Sequence, residues 1–130
     1  FFVRHGHPIL ACDDVTAADI AKYDLISPSG FAPNDYAWRQ LYEEEGVDPS
    51  QHIHIIDNFP IVSRLVRETD TIGLVSIHYT KNPAFKSRFS SVPFLESLPV
   101  MPLCCATRLR WSPRPAVRAF INACREQKPS

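Results

Sequence analysis

The chain has 130 residues, 45% apolar and 22% charged, which suits one domain with a real hydrophobic core and argues against disorder for the bulk of it. Fourteen Lys and Arg balance fourteen Asp and Glu, so this piece offers no electrostatic reason to bind nucleic acid, although a partner domain elsewhere remains open. No apolar run is long enough to span a bilayer, and Phe1-Phe2-Val3-Arg4 reads as a strand entered in mid-course, not a signal peptide. With no initiator Met, the chain is expected to be processed, truncated or part of something longer.

Phe1 to Arg4 is an expected strand, ended by the turn His5-Gly6-His7-Pro8. A first helix is expected from Thr16, where Asp19 three residues on approximates a capping box and Ile20 and Tyr23 face inward. Asp24-Leu25-Ile26 reads as a short buried strand, stopped by Ser27-Pro28-Ser29-Gly30. A second helix spans about Asp35 to Glu45. Trp38, Leu41 and Tyr42 share one of its faces, and Gly46 supplies its stop. His52 to Ile56 is a strand. Asn58 caps a third helix, with Pro60 in its first turn and Ile61, Val62, Leu65 and Val66 as its stripe. After a polar break at Glu68 to Thr71, Ile72 to Ile77 reads as a strand and Asn82 to Arg88 as a short helix or turn. Phe89 to Phe94 is a weak strand. Leu103 to Trp111 is a longer strand, and Ser112-Pro113 opens a last helix whose stripe is Val117, Phe120, Ile121 and Cys124.

Strands alternate with helices from Asp24 to Ile77. That pattern implies βαβ crossovers and an α/β fold with a mixed, mainly parallel sheet flanked by helices. Ligands bind such sheets at the carboxyl ends of the strands, here Ser27 to Gly30, Asp57 to Phe59 and Ser76 to Tyr79. Asn58 and Phe59 occupy a strand-to-helix junction, where a helix N-terminus favours a carboxylate or other anion; an ordinary N-cap is the equal and compatible account. His5/His7 and His52/His54 are His-x-His pairs that a metal site could begin with, but neither has a local third ligand, and surface or turn histidines are the plainer account. No nucleophile elbow, dinucleotide fingerprint or P-loop is present, so no catalytic residue, metal or cofactor is assigned. The triple Glu43-Glu44-Glu45 reads as a solvated face, and Trp38 and Tyr42 as core. Cys12, Cys104, Cys105 and Cys124 match no zinc spacing; the last three read as buried thiols of a reducing cytoplasm.

Phe1 to Leu10 carries an aliphatic strand, Arg4, a variable residue, Gly6 and His7-Pro8-Ile9, and so resembles the hinge and following turn of LysR-type transcriptional regulators. Three further segments are similar to that family in the same order: Val15 to Tyr23, Val66 to Ser76, and Trp111-Ser112-Pro113 through Phe120. Ser76 departs from the family's usual Pro, and Tyr79-Thr80-Lys81 follows without the usual continuation. The resemblance implies a periplasmic-binding-protein-like lobe of an effector-binding domain. On that basis 1–10 is a hinge strand and turn, 11–98 the second lobe, and 99–130 a returning hinge strand and C-terminal helix. It also implies a small-molecule effector in an interlobe cleft, contacted by Ser27, Ser29, Asn58 and Phe59. The other lobe and the DNA-binding winged helix-turn-helix lie outside this sequence. No membrane or enzymatic role follows. An uncovered last helix implies a homo-oligomer, a swapped helix, or one packed back locally. The competing classes are a solute-binding protein of the same two-lobe architecture and a small metal-dependent enzyme built on the His-x-His pairs.

Overall fold

Phe2 and Val3 are neighbours in sequence, yet each is fully buried and in a different cluster, because successive residues of a strand point to opposite faces of its sheet. In the computed structural model, which describes residues 1–29, 34–94 and 114–126, they belong to strand β1 (Phe2–Arg4). Four more strands complete the sheet: β2 (Leu25–Ser27), β3 (Ile53–Ile55), β4 (Ile72–Gly73) and β5 (Phe89–Ser91), in the order β3-β2-β4-β1-β5. Strand β2 runs parallel to β3 and to β4, whereas β1 is antiparallel to both β4 and β5. Four strands therefore point one way and β1 alone opposes them. This is the mixed, mainly parallel sheet that the alternation of elements predicts.

The strands divide the core. Val3, Leu25, Ile72 and Leu74 join one buried cluster with Ile20, Trp38, Leu41 and Tyr42, from helices α1 (Ala17–Ile20) and α2 (Asn34–Glu44). Phe2 and Ile26 join the other with Val62 and Val66 of α4 (Phe59–Glu68), Phe85 of α6 (Pro83–Lys86), and Phe89. Helices thus cover both faces. The expected caps form: the Asp19 carboxylate accepts from Thr16 N and Oγ at 3.1 and 2.9 Å, and Asn58 Oδ1 accepts from Ile61 N. Gly46 ends α2 at φ 73°, a conformation that L side chains rarely adopt. Gly73 pairs with Phe2, and a Cβ there would run into the Phe2 ring. Both Trp38 and Tyr42 are core, with Tyr42 Oη donating to Tyr23 O at 2.7 Å.

Several expectations need correction. The strand expected over Ile72 to Ile77 is Ile72–Gly73 only. One more bond, Leu74 N to Ile26 O, follows, and then the Ser76 side chain accepts from His78 N and turns the chain into α5 (Ile77–Thr80). A one-turn helix, α3 (Pro49–His52), precedes β3, because Asp48 caps it and Pro49 suits its first position. Of the α4 stripe, Val62 and Val66 are buried while Ile61 is 51% and Leu65 37% exposed: the helix rests on its Val62–Ser63–Val66 line, and those two flank it. The expected strand Leu103 to Trp111, its two cysteines and the Ser112-Pro113 cap lie outside the described residues. The chain divides into two units, Phe1–Val100 and Met101–Ser130. In the second, α7 (Pro115–Glu126) carries the apolar stripe but buries no residue, so Cys124 is exposed where a buried thiol was expected. No described helix is long and apolar enough to cross a membrane.

Candidate functional site

Parallel pairing puts the carboxyl ends of β2 and β3 side by side. Ser27 stands opposite Ile55, and Ile56 N donates to Ser27 O at 3.0 Å. The two following loops therefore leave the sheet at one edge. There the Asp57 carboxylate forks onto Ser29, accepting from its amide at 2.6 Å and from its Oγ at 2.7 Å. These two donors hold the Asp57 carboxyl below the usual carboxylate range. The carboxylate is thus ionised, exposed and fixed in direction at the edge of the sheet.

The four residues expected to contact a ligand are gathered here but differ in what they can offer. Ser29 is exposed, and both its donors are engaged by Asp57. Ser27 is fully buried, its hydroxyl 3.3 Å from Pro28 O, so it packs beneath the edge. Asn58 spends its side-chain oxygen on the N-terminus of α4. Phe59 begins α4 half-buried, edge-on to Tyr79 at 5.2 Å and tilted over Phe2 at 6.2 Å. The third strand end comes through Ser76, which caps α5 and brings Tyr79 to Phe59. Asp57 is the residue that the sequence placed at this edge without giving it a role. Its signal is an acid between a strand end and a helix cap, and its partner lies 28 residues upstream.

The histidine pairs are occupied otherwise. His7 is buried, its Nε2 2.9 Å from Asp70 O and its Nδ1 accepting from Ile9 N at 3.0 Å. A carbonyl only accepts, so Nε2 donates to Asp70 O while Nδ1 accepts from Ile9 N, and both nitrogens are used. His5 Nδ1 meets Ser90 Oγ at 2.9 Å. Asp24, at the amino end of β2 and so at the opposite edge from Ser29, bonds His52 Nδ1 at 2.8 Å and lies 3.7 Å from His54 Nε2. Among the described residues no group of three or more His, Cys, Asp or Glu is arranged to hold a metal ion.

Comparison with known families finds one model, the LysR substrate binding domain, matching residues 1–129. No curated protein and no solved structure matches the chain. The family's domain is periplasmic-binding-protein-like, in agreement with the five-stranded mixed sheet and its helices, and it belongs to transcription regulators rather than to enzymes. With the match covering 1–129 of 130 residues, the chain belongs to the LysR substrate-binding-domain family, the effector-sensing domain of LysR-type regulators.

Proposed function

We propose that the chain senses a small-molecule effector at the edge where β2, β3 and β4 end, and that occupancy of this edge changes DNA binding by a winged helix-turn-helix outside this sequence. The observation that carries the reading is the meeting of Ser29 with Asp57 beside the start of α4, at the carboxyl ends of parallel strands, where α/β sheets take their ligands. The edge is one wall of a cleft closed by a second lobe. Residues 1–10 act as the hinge strand and turn, 11–98 as this lobe, and 99–130 as the return strand and terminal helix. The effector favours one lobe arrangement by its differential affinity, and no covalent chemistry enters. The regulator works in the cytoplasm as a homo-oligomer.

Asp57 sets the chemistry of recognition. An anionic effector takes the two Ser29 donors only by displacing the Asp57 carboxylate; a hydroxyl or ammonium group bonds that carboxylate directly. The test is the operator affinity of the regulator carrying this chain, measured with and without effectors found by thermal-shift screening. A ligand that raises Tm is expected to change operator affinity, with Ser29→Ala weakening the ligand about tenfold, the effect of about 1.4 kcal/mol. Asp57→Asn strengthens an anionic effector and weakens a cationic one. Ligand binding and operator affinity that are both indifferent to Ser29 and Asp57 would overturn the reading.

A further inference from the structure

Away from the Ser29–Asp57 pair, a cavity of about 400 Å³ opens along α4 toward α5 and the start of β5. Its lining holds three guanidinium groups, those of Arg64, Arg67 and Arg88, two hydroxyl-bearing side chains, Ser63 and Tyr79, and no acid. Ser63, Arg64 and Arg67 follow from helical geometry: spaced by one and three residues, they lie on neighbouring lines of α4. Arg88 arrives from the loop between α6 and β5, where its Nε reaches Ala84 O at 3.4 Å and its guanidinium sits 6.0 Å from the Phe89 ring centre.

The charges do not cancel. One carboxylate, Glu68, serves Arg64 through Nε at 3.1 and 3.3 Å and lies 3.8 Å from Arg67 Nη2. Three cations against that one acid leave two positive charges uncompensated around a single opening. Gathering like charges costs free energy unless an anion completes the set. A second observation points the same way. Ser63 is only 9% exposed and lines the cavity, yet its hydroxyl has no hydrogen-bond partner among the described residues. The hydroxyl therefore has a donor to offer an acceptor that enters the cavity. The Phe59 and Tyr79 rings, edge-on at 5.2 Å, form an apolar wall beside the cations.

We infer that this groove is a second ligand site, sharing the Phe59 and Tyr79 wall with the effector edge but not its Ser29–Asp57 pair, for a small molecule carrying two anionic groups, carboxylate or phosphate. The guanidinium groups bind each end through charge-assisted bonds, and Ser63 donates to one of the oxygens. The volume suits a small metabolite and is far too small for a folded partner.

Calorimetric titration of the full chain with pyrophosphate and with citrate, against sodium chloride at matched ionic strength, tests this. Saturable binding of at least one polyanion is expected. The Arg67→Gln/Arg88→Gln double variant should weaken it about tenfold or more, and Ser63→Ala also by about tenfold, the loss of one hydrogen bond to a charged group. Arg67 and Arg88 are exposed, so the double variant should keep the unliganded Tm in chloride, which serves as the check on folding. Ser29→Ala should leave this binding unchanged and so keep it distinct from the effector edge. No saturable binding beyond chloride, undiminished binding in the double variant, or binding only of polyglutamate or duplex DNA would each overturn the inference.

Discussion

The two faces of the sheet are closed by different means. One gathers twelve buried residues, mostly aliphatic, under α1 and α2; the other has six, and three of them are phenylalanines. On the second face the rings touch in series. Phe2 is edge-on to Phe85 and Phe89 at 5.2 and 5.1 Å, Tyr79 reaches Phe85 at 5.5 Å, and Phe59 closes on Tyr79. Three phenylalanines make up half of this smaller cluster, whereas Trp38 and Tyr42 are the two buried rings among the twelve residues opposite. The outer rings of this series, Phe59 and Tyr79, remain partly exposed and border both the proposed effector edge and the arginine groove. The aliphatic face is a closed core, whereas the aromatic face runs from core to surface and borders both proposed ligand sites.

The largest test of that contrast is to remove the ring on which the aromatic face converges. Phe2→Ala should cost about 3–5 kcal/mol by urea unfolding, at or above the cost of Leu25→Ala on the aliphatic face, about 2–5 kcal/mol. Gly73→Ala sharpens the point, because the new methyl meets the Phe2 ring. A cost of about 1–3 kcal/mol is expected, smaller in a Phe2→Leu background than in the native chain, as a double-mutant cycle would reveal. On the aliphatic face, Tyr42→Phe removes the bond to Tyr23 O at a cost of about 1 kcal/mol.

A smaller effect separates the polar edges from both cores. The hydrogen bond from Lys22, then those from Thr16, lower the Asp19 carboxyl to about 2, and Ser29 lowers that of Asp57. A depressed folded-state value means that the associated stability is complete above the unfolded value of about 4 and is lost as pH falls through the folded value. Tm should therefore hold from pH 7 to about 5 and decline toward pH 2, less steeply in Asp19→Asn and Asp57→Asn. The smallest effect belongs to the exposed Arg4–Asp70 pair at 2.7 Å, where Asp70→Asn should change stability by about 0–1 kcal/mol.

Much of this fold is written in short-range signals. Thr16 with Asp19, Asn58 before Pro60, and Gly46 after α2 place three helices, because caps and stops act within one turn. The alternation of elements predicts the sheet, and Ser29, Asn58 and Phe59 can be placed at the carboxyl edge of its strands before any coordinates. What escapes such reading depends on pairing at a distance. Asp57 gains its role only when β2 and β3 align and bring Ser29 to it, and Asp24 joins His52 and His54 by the same alignment. The early end of β4 escapes as well, since the apolar run from Ile72 to Ile77 does not reveal that Ser76 turns the chain out of the sheet. The arginine groove is assembled from α4, α5 and the loop before β5, so no local spacing announces it.

The central claim is that the carboxyl ends of β2 and β3 receive the effector, and amide chemical-shift mapping tests it most directly. The ¹⁵N-labelled chain would be titrated with the ligand giving the largest thermal shift in screening. The account predicts that the largest shifts fall on Ser27, Ser29 and Asp57 to Phe59, that Ser29→Ala raises the ligand concentration needed to reach them about tenfold, and that Asp57→Asn lowers it for an anionic ligand and raises it for a cationic one. Shifts centred instead on Asp24, His52 and His54, at the opposite edge of the same strands, would contradict it.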